Sequence, residues 1–168
     1  MTEEVSKSKL FLARLVVVLM VAFVVAGLAQ YGFSAEVRAR VWQHLLERSG
    51  GPMTFRFILQ PIMATIAAFL DGIKDARAGR APFLEAVLTN PAKRAGRLQE
   101  AVIATARILL LGLIMDAIYQ FIELETFHPA EAVIIALLLA FVPYAALRGI
   151  ISRIARWWIG RQSAGASR

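Results

Sequence analysis

The chain has 168 residues, 58% of them apolar, and a formal net charge of +7. It contains no cysteine, which excludes disulfides, thiolate metal sites and a cysteine nucleophile. The apolar residues fall in long runs and the basic residues flank them. That pattern points to a membrane protein whose charge reflects topology and anionic lipid, not nucleic acid.

Residues 1–9 are polar, and residues 10–30 form an apolar span interrupted by Arg14. The span has the roughly 20 residues needed to cross the hydrocarbon core, and Arg14 sits near its start, where it can snorkel. It is long for a signal sequence, so an uncleaved first transmembrane helix is expected. Residues 35–49 follow Ser34, a suitable N-cap. Val37, Val41, Trp42, Leu45 and Leu46 make an apolar stripe there, opposed by Arg38, Arg40, Glu47 and Arg48. This reads as an amphipathic helix lying in the interface. His44 has no second ligand at metal spacing and reads as an interfacial histidine.

The span 53–73 is unusual in carrying charge. At about 100° per residue, Arg56, Gln60, Ala64, Ala67, Asp71 and Asp75 share one face. Phe57, Ile58, Ile62, Ile66, Phe69 and Leu70 cover the others. Charges within a membrane are costly and mark functional or pairing positions. Pro61 predicts a kink. Because this segment is short, a half-crossing or an interfacial placement stays open beside a full crossing.

Residues 74–100 form a basic loop with Lys74, Arg77, Arg80, Lys93, Arg94 and Arg97, expected to face lipid headgroups or a partner. Residues 81–88 read as a surface helix. Asn90 and Pro91 read as the N-cap and first position of a long helix that continues into the span 103–124. That span has its own polar stripe: Thr105, Leu109, Gly112, Asp116, Tyr119, Gln120 and Glu123. Gly112 reads as a close-packing position. Arg107 points away. A short acidic turn precedes the last span, 131–151, which Arg148, Arg153, Arg156, Arg161 and the interfacial Trp157 and Trp158 close. The tail after Arg161 is expected to be disordered.

The fold expected is therefore all-α: one membrane domain of four transmembrane helices with short interfacial helices. The basic loop and basic tail place both termini in the cytoplasm. With the second and third spans antiparallel, Arg56 is expected near Glu123 or Gln120, Gln60 near Asp116, and Asp71 near Arg148. There is no zinc-protease motif, no phosphate-binding glycine loop and no paired-histidine pattern. No metal, cofactor or catalytic residue is expected, and the chain does not read as an enzyme.

Four short patterns lie along residues 53–156, each occurring once. They are Arg56-Phe57-x-x-Gln60-Pro61; Asp75-Ala76-Arg77-x-Gly79-Arg80-x-Pro82; Asp116-x-x-Tyr119-Gln120; and Pro143-Tyr144-x-x-x-Arg148-Gly149. Together they resemble a family of small bacterial integral membrane proteins of uncharacterised function. The resemblance implies a bacterial cytoplasmic-membrane location and brings no activity or substrate.

Two functions remain open. One is an accessory or scaffold subunit of a membrane assembly, bound to lipid and to other subunits or to copies of itself, docking through the basic loop. The other is a small oligomeric carrier or channel for protons or cations that uses the carboxylates of the spans. A water-filled path to Asp116 favours the carrier, and a dry, paired stripe favours the scaffold.

Overall fold

The structure, a computed structural model, describes residues 6–32, 34–50 and 54–165. Seven α-helices follow in order: α1 (Lys7–Tyr31), α2 (Ala35–Ser49), α3 (Arg56–Arg77), α4 (Phe83–Thr89), α5 (Pro91–Tyr119), α6 (Pro129–Ala136) and α7 (Val142–Gly165). No strand occurs among the described residues. Single π-helical turns extend α5 over Gln120–Leu124 and join α6 to α7 over Leu137–Phe141. Four stretches are long and apolar enough to cross a membrane: Lys7–Tyr31, Arg56–Arg77, Pro91–Leu124 and Pro129–Arg161. Met53, and the side chains of Arg38, His44, Leu45, Glu47 and Arg48, lie outside the described residues.

Local chemistry sets the boundaries. Asn90 caps α5 by accepting the Lys93 amide at 3.2 Å, and Pro91 occupies the first turn, where no N–H is required. Ser34 accepts the Val37 amide at 3.2 Å ahead of α2. Gly79, at φ 62°, turns the chain out of α3 toward α4, a conformation that suits a residue without Cβ. Pro143 offers no N–H to the preceding turn, and the helix widens to its π turn just before it. The other π turn ends on Glu125, which takes a left-handed conformation. α7 runs to Gly165, so the expected disorder after Arg161 is corrected as far as that residue. Arg161 stacks over the Trp157 ring at 4.3 Å, one turn back, and supports the final turns.

α5 lies at the centre of the packing. α1 packs on α5 and α6, α3 runs beside α7, and α4 lies across α5 and α7. α1 and α5 run parallel. α3 and α7 run the opposite way. The bundle thus has a turn end, at residues 125–128, and a basic end, at the loop before α5. The buried seam is rich in alanine: Ala64, Ala68, Ala101, Ala106, Ala132, Ala136 and Ala140, filled out by Leu109, Ile135 and Tyr144. Small residues let helix backbones approach closely when lipid supplies no hydrophobic drive. Gly27 marks one such approach, because a Cβ there would lie 2.9 Å from the Ala130 backbone nitrogen. The outside is the reverse of a soluble protein's. Val18, Val21, Val25, Ile58, Ile62, Phe69, Leu70, Ile118 and Phe121 are all exposed.

Candidate functional site

The polar faces of α3, α5 and α7 meet in two clusters, one at each end of the bundle. At the turn end, Arg56 opens α3 and is buried. Its Nη1 donates to Asp116 Oδ1 at 2.7 Å, its Nη2 to the Gly112 carbonyl at 2.9 Å, and its Nε to Gln60 Oε1 at 2.7 Å. Gln60 passes the chain on, donating from Nε2 to the Ile108 carbonyl at 3.2 Å. The other Asp116 oxygen accepts Gln120 Nε2 at 2.6 Å. Gln120 also donates to the His128 carbonyl and accepts the His128 amide, which fixes the turn. Gly112 makes this possible, since a Cβ there would run into Gln60 Nε2.

At the basic end the organising anion is Asp75, which is 1% exposed. Arg97 grips it with two bonds of 2.9 Å, and Arg148 adds bonds of 2.8 and 3.1 Å. Glu100 closes the ring, accepting Arg97 and Arg148 at 3.1 Å each and Arg80 at 3.2 Å. The Tyr144 hydroxyl accepts Arg148 Nη1 at 2.8 Å and donates to Asp71 at 2.7 Å. Three carboxylates, Asp71, Asp75 and Glu100, thus stand among three guanidiniums, those of Arg80, Arg97 and Arg148. Phe83 of α4 seals the cluster from below, with the Arg148 guanidinium 5.1 Å and the Arg97 guanidinium 5.8 Å from its ring centre.

Nineteen residues separate Arg56 from Asp75 on α3, and nineteen separate Arg97 from Asp116 on α5. At 1.5 Å per residue that is about 28 Å, close to the ~30 Å of a hydrocarbon core. The outermost members of the two clusters therefore sit about a membrane's thickness apart, and their innermost members on α3, Gln60 and Asp71, about 16 Å apart, with buried alanines between them.

Several expected placements are corrected. Arg56 pairs with Asp116, whose other oxygen holds Gln120, so of the two expected neighbours it shares a cluster with Gln120 and not with Glu123. Glu123 is exposed, because the π turn over Gln120–Leu124 rotates it off the face that Asp116 and Tyr119 share. Gln60 shares the cluster with Asp116 but reaches it through Arg56, bonding directly to Arg56 and the Ile108 carbonyl. Arg148 pairs with Asp75, one turn beyond Asp71, and reaches Asp71 only through Tyr144. Arg97 is buried in an ion pair and does not face lipid or a partner. Of the other loop cations, Lys74, Arg77, Arg80, Lys93 and Arg94 are exposed. Arg80 leans on Glu100, and Arg94 donates to the Val87 carbonyl at 2.7 Å. Tyr119 is buried beside the turn-end cluster.

Sequence reasoning also passed over a cap on the turn end. Tyr31 donates to the Phe127 carbonyl at 2.9 Å and stacks on His128, with ring centres 4.6 Å apart. The Arg40 guanidinium lies 5.0 Å from the Tyr31 ring centre, and Arg40 Nε is 3.3 Å from Glu131 Oε1. These contacts tie α2 and the end of α1 to the start of α6. The signal in the sequence is thin: one tyrosine at a span end and one acid in the acidic turn.

The arrangement holds charge in place. Both oxygens of Asp116 and both of Asp75 accept guanidinium or amide donors, a pattern that holds the carboxylates in place. No group of three or more His, Asp or Glu among the described residues is placed to hold a metal ion. No family model, curated protein or solved structure matches the chain.

Proposed function

We propose that this chain is a non-enzymatic accessory or scaffold subunit of an assembly in the bacterial cytoplasmic membrane. The observation that supports it is the pairing of Asp75 and Asp116 with arginines, in two closed clusters at opposite ends of the bundle. A carrier needs a carboxylate that can exchange its partner during a cycle. Here the two most buried carboxylates are bound on both oxygens. Their loss would break the bundle before it altered a transport step. The carrier reading draws its support from Asp71, which is half-buried and, among the described residues, hydrogen-bonded by side chain only to the Tyr144 phenol.

Orientation follows from charge. Lys74, Arg77, Lys93, Arg94, Arg153 and Arg156 crowd the basic end, while Glu123, Glu125 and Glu131 mark the turn end. The basic end is then cytoplasmic, with both termini. The resemblance to small bacterial membrane proteins supports the same location. The docking surface is the exposed part of the basic loop, Arg77 and Lys93 above all, since Arg97 is committed inside.

Purification from native membranes in mild detergent tests this reading. A membrane protein should co-purify at fixed stoichiometry, and Arg77→Gln with Lys93→Gln should release it while the chain still inserts and folds. Purification of the chain alone at every salt concentration, or a partner indifferent to both substitutions, would contradict it.

A further inference from the structure

Between α1 and α5, near the basic end, lies a groove of about 460 Å³ that neither polar cluster touches. Leu10, Ala13, Arg14, Val17 and Val18 line it from α1, and Gln99, Val102 and Ile103 from α5. Its volume falls within the range of about 300–1,000 Å³ typical of small-ligand sites. The walls are aliphatic apart from Arg14 and Gln99.

We infer that this groove holds one anionic phospholipid, its phosphodiester on Arg14 and one acyl chain along Val17, Val18, Val102 and Ile103. Three observations carry this. First, Arg14 is exposed and makes no ion pair or hydrogen bond with any described residue, unlike the arginines of the clusters. Side chains on a helix lean toward its N-terminus. Arg14 therefore leans over Leu10 toward the basic end, at the level of the headgroups. Second, the charged groups there are cations, and the other polar wall group, Gln99, brings both donors and an acceptor. Arg14 has only N–H groups to offer, and Lys7, two turns nearer the end on the same face of α1, adds an ammonium. Such a set selects an anion rich in acceptor oxygens. Third, the order along the membrane normal is that of one lipid. Cations come at the surface, followed by an aliphatic channel. On α5, the turn before Gln99 is Ala95 and Gly96, and Gly96 has nothing within 4 Å of where a Cβ would stand. That leaves width for a headgroup. A partner helix would need no such gradient. The site asks only that the chain be embedded in a bilayer, and it stands apart from the proposal of a protein partner.

Native mass spectrometry of the full chain, titrated in detergent with dioleoyl phosphatidylglycerol or dioleoyl phosphatidylcholine, tests the site. One phosphatidylglycerol should stay bound per chain at concentrations where phosphatidylcholine does not. Arg14→Gln should weaken its retention tenfold or more, and Arg14→Lys should keep most of it. Val102→Phe should weaken it similarly by filling the groove with the charge intact. Arg153→Gln, which removes an exposed cation on α7 away from the groove, should leave it unchanged. Millimolar inorganic phosphate should not displace the lipid, because the acyl chain contributes. Equal retention of both lipids would overturn the proposal, as would displacement by inorganic phosphate. Wild-type retention by monodisperse Arg14→Gln would also overturn it, and so would a loss confined to Arg14→Gln with Val102→Phe unaffected.

Discussion

Arg56 donates to a carboxylate, a side-chain amide and a backbone carbonyl at once, so its removal leaves three buried acceptors without their donor. Breaking a buried ion pair by deleting one partner costs about 3–5 kcal/mol. Arg56→Ala should therefore lower thermal stability in detergent sharply. Arg56→Ala combined with Asp116→Ala should recover part of the loss, because no unpaired charge remains. Combination with Glu123→Ala should recover none, since Glu123 is exposed. A double-mutant cycle read by unfolding midpoints separates these outcomes. The identity of the polar face was legible at this scale, because helical spacing alone puts Arg56, Gln60 and Asp75 together. The partners were legible only to within a turn or so. Ideal helix spacing fixes a residue's depth in the membrane only relative to where its span begins. A π turn, which no residue type announces, moved Glu123 off the face. The second miss has a similar origin. Asp71 and Asp75 are one turn apart on the same face, and spacing cannot say which of them meets Arg148. Tyr144 resolves it by filling the gap to Asp71.

The helices owe their register to small residues as much as to charge. Gly112 sits where Gln60 crosses α5, and Gly96, on the same helix, faces open space. The two positions make an internal comparison. Gly96→Ala should be neutral or raise stability by up to about 1 kcal/mol, the helix-propensity difference. Gly112→Ala gains the same propensity but must push Gln60 off its bonds to Arg56 and Ile108. It should lower stability by about 1–3 kcal/mol, the usual cost of overpacking. Unfolding midpoints of the two variants check this, and equal midpoints would contradict the crossing. Most helices were legible as elements: the Asn90–Pro91 start of α5, the long apolar runs, and the α2 stripe after Ser34. The cap formed by Tyr31, Arg40, His128 and Glu131 was not, because it joins residues about a hundred positions apart that share no periodic pattern.

At the scale of the whole molecule, the two clusters close the bundle at opposite ends, with a buried alanine seam between them. This placement lowers the cost of the charges. The buried arginines and carboxylates are each neutralised by a hydrogen-bonded neighbour. It also separates the two functional readings. A proton or cation path would have to run about 28 Å from Asp116 to Asp75 through Ala64, Ala68, Thr105 and Leu109, all buried. The overall class, four spans with a basic and an acidic end, was legible because the cost of burying polar groups in lipid writes itself into composition. The register between spans was not, since it depends on packing that one sequence shows only in outline. The central claim is that the buried carboxylates hold the fold and do not carry ions. It is tested most directly by flux through liposomes that contain the purified chain, with a pH-sensitive dye inside and imposed proton and sodium gradients. The account predicts flux no faster than in empty liposomes, for the parent chain and for Asp71→Asn alike. A flux well above that level, abolished by Asp71→Asn or Asp116→Asn in protein that still folds, would contradict it.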